Sequence, residues 1–188
     1  PGVGGSSPSG MIELGDQVLF AATDASGDRE LWTSDGTTAG TQLLLDINPV
    51  DTSAPSQFTR VGDKVLFTAA LTLFSSPRDL WVTDGTALGT QALFAPGEGP
   101  SMNTQAGVAV SGEHAWFVSG GDLWRTDLTT EGTELIAPIS STYTALIRGL
   151  TATDDGRVFF GAPAYDQGEY IGVELFVSDG TAPGTRWI

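Results

Sequence analysis

One twelve-residue segment occurs four times in this chain, and the repetition limits the possible folds more than any other feature. The segments ELWTSDGTTAGT (30–41), DLWVTDGTALGT (79–90), DLWRTDLTTEGT (122–133) and ELFVSDGTAPGT (174–185) align without gaps. They share an acid, Leu, an aromatic, a free position, Ser or Thr, Asp, usually Gly-Thr, two variable residues and Gly-Thr. A second element precedes each one: Val18-Leu19-Phe20, Val65-Leu66-Phe67, Ala115-Trp116-Phe117 and Val158-Phe159-Phe160, each behind a glycine-containing turn. Self-similarity at such a period means supersecondary units that cannot cover their own apolar faces and must stack on their neighbours.

The motif aromatics Trp32, Trp81, Trp124 and Phe176 lie 49, 43 and 52 residues apart by position, a spacing that suits one four-stranded meander per repeat. Unbroken apolar triplets predict inner strands covered on both faces. In the second repeat this places strand A near 58–61, a turn at Gly62-Asp63, strand B near 64–69, strand C near 79–83, a turn over 84–89 and strand D near 90–95. No stretch keeps a helical apolar period, and 25 Gly and 10 Pro spread along the chain punctuate it too often for long helices. The expectation is an all-β fold, a β-propeller-type array of four four-stranded antiparallel meander blades at about 11–49, 55–98, 104–139 and 147–188. Residues 1–10, PGVGGSSPSG, read as a flexible linker without the basic and apolar regions of a signal peptide. Beginning at Pro1, the chain reads as a processed product or a piece of something longer.

Charge narrows the partners. With 8 Lys plus Arg against 23 Asp plus Glu, the net charge of -15 repels phosphate backbones and anionic lipid, so nucleic acid is a poor partner. No apolar run approaches bilayer-spanning length, and no membrane insertion is expected. The absence of cysteine removes disulfides, thiolate zinc sites and cysteine nucleophiles. The acidity favours cations, Ca²⁺ above all, although scattered carboxylates also make an ordinary solvated surface.

The ELWxSDGTxxGT segments with the preceding Val-Leu-Phe element resemble the ELWxxDGT repeat family, tandem units found mainly in large bacterial surface and secreted proteins; the match covers 11–188. The third repeat departs from the pattern with Leu128 in place of Gly, and the fourth with Phe176 in place of Trp. The resemblance implies a propeller-like array and a secreted or cell-surface location, and the family offers no established catalytic residues to carry over. A looser likeness is to the Asp-box hairpins of sialidase-type propellers. The seven arginines, at 29, 60, 78, 125, 148, 157 and 186, mostly occupy repeated positions and no Tyr accompanies them in a recognisable pattern, so sialidase chemistry is not carried over.

Asp35, Asp84, Asp127 and Asp179 recur at one place in every module. An Asp opening an Asp-Gly-Thr turn accepts backbone N–H bonds and locks the hairpin, helped by the hydroxyls of Thr37, Thr86 and Thr181 and by glycines at positive φ. Structural turn-locking is the expected role, with Ca²⁺ or ligand binding the competing one. The repeated aromatics are expected in blade cores; Trp116 replaces an aliphatic in its triplet and Trp187 lies outside the pattern, and both are candidates for exposure. His114, the only histidine, follows Glu113 in an A-to-B turn; without a nucleophile motif nearby it reads as a solvated turn residue. Asp24 to Asp28 with Glu30 lacks the spacing of a Ca²⁺ loop.

From the last residue of each triplet to the motif aromatic the separations are 12, 14, 7 and 16, so the B-to-C connections vary while the A-to-B and C-to-D turns hold their form. In a meander, B-to-C and D-to-A connections share one rim, which is therefore free to specialise. Leu73, Phe74, Tyr165, Asp166, Glu169 and Tyr170 lie on that rim and form the candidate binding set for a protein or glycan partner. No catalytic residue and no metal ligand set is assigned. The leading expectation is a noncatalytic extracytoplasmic binding or scaffold module; the alternative is part of a carbohydrate-active propeller enzyme, a glycosidase or lyase, completed by other blades. Because strand D of the fourth repeat is short, the four modules are not expected to close a ring alone, and further blades of this or another chain are expected partners.

Overall fold

A computed structural model describes residues 5–71, 78–102, 106–139 and 147–188 of the 188-residue chain. All its regular structure is strand, in four sheets of four antiparallel strands. Module one comprises β1 (Ser9–Leu14), β2 (Gln17–Thr23), β3 (Arg29–Ser34) and β4 (Gln42–Leu45). Module two comprises β5 (Ser56–Val61), β6 (Lys64–Ala69), β7 (Asp79–Thr83) and β8 (Gln91–Ala92). Module three comprises β9 (Ala109–Ser111), β10 (His114–Ser119), β11 (Asp122–Thr126) and β12 (Glu134–Ala137). Module four comprises β13 (Arg148–Ala152), β14 (Val158–Asp166), β15 (Glu169–Ser178) and β16 (Arg186–Trp187). Each sheet keeps its strands in chain order, as a meander requires. β1 begins at Ser9, inside the stretch read as a linker, and β8 is shorter than the strand expected over 90–95.

The repeats set the register. The last residue of each triplet stands directly opposite the motif aromatic: Phe20 opposite Trp32, Phe67 opposite Trp81, Phe117 opposite Trp124 and Phe160 opposite Phe176. In the last two modules these pairs stack, with centroids 6.4 and 5.4 Å apart and planes 19° from parallel, the arrangement that stabilises cross-strand aromatic neighbours.

The chain divides into two compact units, Pro1–Pro100 with modules one and two and Ser101–Ile188 with modules three and four. Within each unit the modules stack by one rule. Successive side chains of a strand point to opposite faces, so the middle residue of a triplet faces one way and its first and last residues the other. In the first unit Leu14, Leu19 and Leu31 of module one pack on Val65, Phe67 and Trp81 of module two. In the second, Trp116, Val118 and Leu123 of module three pack on Val158, Phe160 and Phe176 of module four. The face carrying the triplet's middle residue and the motif Leu therefore covers the next module's face carrying the triplet's ends and the motif aromatic.

This polarity corrects the expectation that every triplet is covered on both sides. Val65, Leu66 and Phe67 and Ala115, Trp116 and Phe117 are fully buried, but Val18 is exposed and Phe20 and Phe159 are only half-buried. Trp116 is core rather than surface, whereas Trp187 is exposed.

Candidate functional site

Each repeated turn is closed on itself. In module two the Asp84 carboxylate accepts from the Thr86 N–H at 2.9 Å and the Thr86 hydroxyl at 2.7 Å. The Thr86 hydroxyl accepts from the Gly89 N–H at 3.0 Å. The Thr90 hydroxyl donates to the Thr86 carbonyl and lies 2.7 Å from the Thr83 hydroxyl, which accepts from the Gly85 N–H. The same bonds recur around Asp35, Asp127 and Asp179. Gly36, Gly85 and Gly180 adopt φ of 88°, 89° and 94°, and Leu128 takes their place in module three at 69°. Thr129, which the sequence reading left out beside Thr37, Thr86 and Thr181, makes both bonds to Asp127; its place two residues after the Asp was the available signal.

These bonds favour the charged carboxylate. The Thr37 N–H and then its hydroxyl hold Asp35 below the ordinary carboxylate range; the hydroxyls of Thr86, Thr129 and Thr181 are the largest influence holding Asp84, Asp127 and Asp179 down.

The acid opening each motif has a separate structural task. Glu30, buried in module one, accepts from the Ile47 N–H at 2.9 Å, the Ser53 N–H at 2.7 Å and the Ser53 hydroxyl at 2.5 Å, fastening the D-to-A connection to β3. Burial nevertheless raises its pKa. Asp79 accepts from the Gly97 N–H at 2.8 Å, and Asp122 from the Ile139 N–H at 2.9 Å. The recurrence of an acid was visible in the sequence, but its partners lie 17 to 23 residues away and no local pattern identifies them.

The variable connections differ in kind. In module one Asp24 accepts at 2.8 to 3.1 Å from the N–H groups of Ser26, Gly27 and Asp28, which uses its carboxylate inside the loop. Module three makes the connection with Gly120 and Gly121 at φ 61° and 93°. Leu73 and Phe74, expected in the binding set, lie outside the described residues. In module four the expected long loop is instead a continuation of the hairpin: β14 and β15 extend to a two-residue turn at Gln167 and Gly168, φ 51° and 91°, the positive φ pair that matches strand twist in tight hairpins.

That hairpin gathers four of the six candidate residues. Tyr165 pairs with Tyr170 and Asp166 with Glu169 across the strands. The tyrosine rings lie 5.6 Å apart at 57°, and the side chains remain 40% and 59% exposed. His114 is exposed at the start of β10, one residue past the turn expected to hold it, and is in a different module from this hairpin. Among the described residues no group of three or more His, Asp or Glu is placed to hold a metal ion.

No protein-family model matches the chain, and no curated protein matches it. Solved structures do. A crystal structure of puromycin hydrolase is similar over 97% of this chain and 28% of its own, at TM-score 0.62 and 17% identity. A structure from an analysis of two prolyl endopeptidases is similar over 95% of this chain and 27% of its own, at TM-score 0.60 and 17% identity. The β-propeller domain of the Trilobed protease from Pyrococcus furiosus, described as having an open velcro topology, is similar over 97% of this chain and 56% of its own, at TM-score 0.50 and 14% identity. The chain spans little more than a quarter of the length of the two hydrolase structures. At these identities the likeness is one of fold, and the four meanders are β-propeller-type blades.

Proposed function

We propose that the chain is a noncatalytic binding or scaffold module that presents its variable B-to-C rim to a protein or glycan. The observation that carries this reading is the contrast between two kinds of turn. The repeated Asp turns spend their polar groups on their own backbone, whereas the module-four hairpin extends beyond the common blade and presents two exposed tyrosines. Paired exposed aromatics on a hairpin are side chains that anchor recognition at little entropic cost. The secreted or cell-surface setting rests on the resemblance of the repeats to ELWxxDGT units.

A glycan array and a protein array probed with the purified chain and with Tyr165→Ala and Tyr170→Ala test the proposal. Capture of a ligand by the parent chain, lost in both variants at unchanged melting temperature, is the expected result. Capture that persists in both variants, or is abolished by a chelator, overturns it. Turnover of an arrayed glycan that Asp166→Asn or Glu169→Gln abolishes would assign the chain to a carbohydrate-active enzyme instead.

A further inference from the structure

Modules one and four each expose a sheet face of a kind that is covered within a unit. Module one exposes the kind of face that carries a triplet's ends: Val18 is 37% exposed, Phe20 and Trp32 are half-buried, and Met11 beside them is 63% exposed. Met11, Val18 and Phe20 border a groove of about 660 Å³. The equivalent residues of module two, Val65, Phe67 and Trp81, are buried under Leu14, Leu19 and Leu31. Module four exposes the opposite kind of face. Phe159, the middle of its triplet, is half-buried, and Leu175, its motif Leu, is 49% exposed with Val173 at 59% beside it. The corresponding residues of module three, Trp116 and Leu123, are buried against module four.

Charge runs the same way. Glu13, Asp16 and Asp35 line the module-one groove. On module four, Arg148 stands opposite Gly161 and Arg186 opposite Val177, which register places on the face of Phe159 and Leu175. Arg157 lies over the Phe159 ring, 5.6 Å from its centroid. Three of the chain's eight cationic side chains thus gather on this one face of a strongly acidic protein.

We propose that the exposed face of module four docks on the exposed face of module one of a second copy of this chain, repeating between molecules the stacking seen inside each unit. The contact is heterologous: two different patches meet, so copies join head to tail, into a closed ring or an open array. Leu175 takes the place over Phe20 and Trp32 that Leu31 holds over Phe67 and Trp81, and the arginines meet the acidic rim of the groove, which steers and registers the encounter.

Sedimentation velocity of the full chain across a concentration series, at low and high salt, tests this. The expected result is a concentration-dependent rise in mass that salt weakens. Val18→Arg spoils one patch and Val173→Glu the other; both positions are exposed, and unchanged melting temperatures show that the variants fold. Each variant alone should lose self-association by at least about tenfold, because the new charge meets charges of its own sign across the contact. Mixed, they should associate again, since each retains the patch the other needs. A parent chain that stays monomeric at every concentration, or self-association that either variant leaves unchanged, or a mixture that does not pair, overturns the proposal. None of these outcomes depends on ligand capture by the tyrosine hairpin, which is read on the arrays.

Discussion

The Asp84 carboxylate occupies the space that a Cβ on Gly89 would need. The same exclusion holds between Asp35 and Gly40, Asp127 and Gly132, and Asp179 and Gly184. The second glycine of the motif is therefore required by a close approach, in contrast to the first, which supplies positive φ.

Gly89→Ala should displace the carboxylate from the Thr86 N–H and hydroxyl and cost about 2 kcal/mol, from lost hydrogen bonds and local crowding. Asp84→Ala alone should cost about 1 kcal/mol. In the Asp84→Ala background the space is vacated, so adding Gly89→Ala should cost little, leaving a coupling of about 1 kcal/mol or more in the double-mutant cycle. Urea denaturation of the three variants measures it; additive costs would show that the two residues do not contend for one space.

Leu128 holds φ 69° where its counterparts are glycine, yet it is only 5% exposed. Restoring the repeat with Leu128→Gly relieves about 1–2 kcal/mol of backbone strain but returns a side chain worth about 1.5–3 kcal/mol to water and leaves a gap. Burial outweighs strain, and the variant should be less stable by about 1 kcal/mol in the same denaturation experiment. A stabilised variant would show that the third turn tolerates its leucine rather than using it.

Meander order, the pairing of triplet ends with motif aromatics and the Asp turns were legible because repeats bring the relevant residues within one hairpin or one period. The fastening of Glu30 to Ser53 was not, since it joins β3 to a connection without a repeated sequence. Nor was the hairpin at Tyr165: a long B-to-C separation reads equally as a loop, and only the Gln167–Gly168 turn with register maintained from Val173 to Ser178 makes it strand. The exposed end faces were hidden because the same Val-Leu-Phe pattern is buried in one module and open in another, according to the neighbour it has.

Stability should fall as the medium is acidified. Asp35, Asp84, Asp127 and Asp179 have folded pKa values below their ordinary ones, and Arg157, then Thr153, holds Asp155 at about 2. A depressed folded pKa gives stability that is present above the unfolded value near 3.9 and lost as pH falls through the folded one. Glu30 has the opposite sign, because burial raises its pKa and protonation relieves part of the cost of burying its charge. With Asp24 also held low by the Ser26 hydroxyl, six groups against one predict a melting temperature that declines below about pH 4. Scanning calorimetry from pH 6 to 2 checks this, and Asp84→Asn should flatten the decline.

Tyr165 and Tyr170 belong to the part of β14 and β15 that reaches beyond the register of the other blades. Neither is in a core cluster among the described residues, both are exposed, and their rings lie 5.6 Å apart. Such a pair contributes about 0.5–1.5 kcal/mol at most, and Tyr170→Ala should lower unfolding stability by less than about 1 kcal/mol. A binding anchor, by contrast, characteristically costs about 2 kcal/mol or more in affinity when truncated. Asp84→Ala should show the reverse division: measurable loss of stability, and ligand affinity nearly unchanged. Parallel denaturation curves and ligand titrations of the two variants therefore separate recognition from scaffolding. If Tyr170→Ala unfolds the blade while Asp84→Ala abolishes binding, the assignments of the tyrosine hairpin and the repeated turns are reversed.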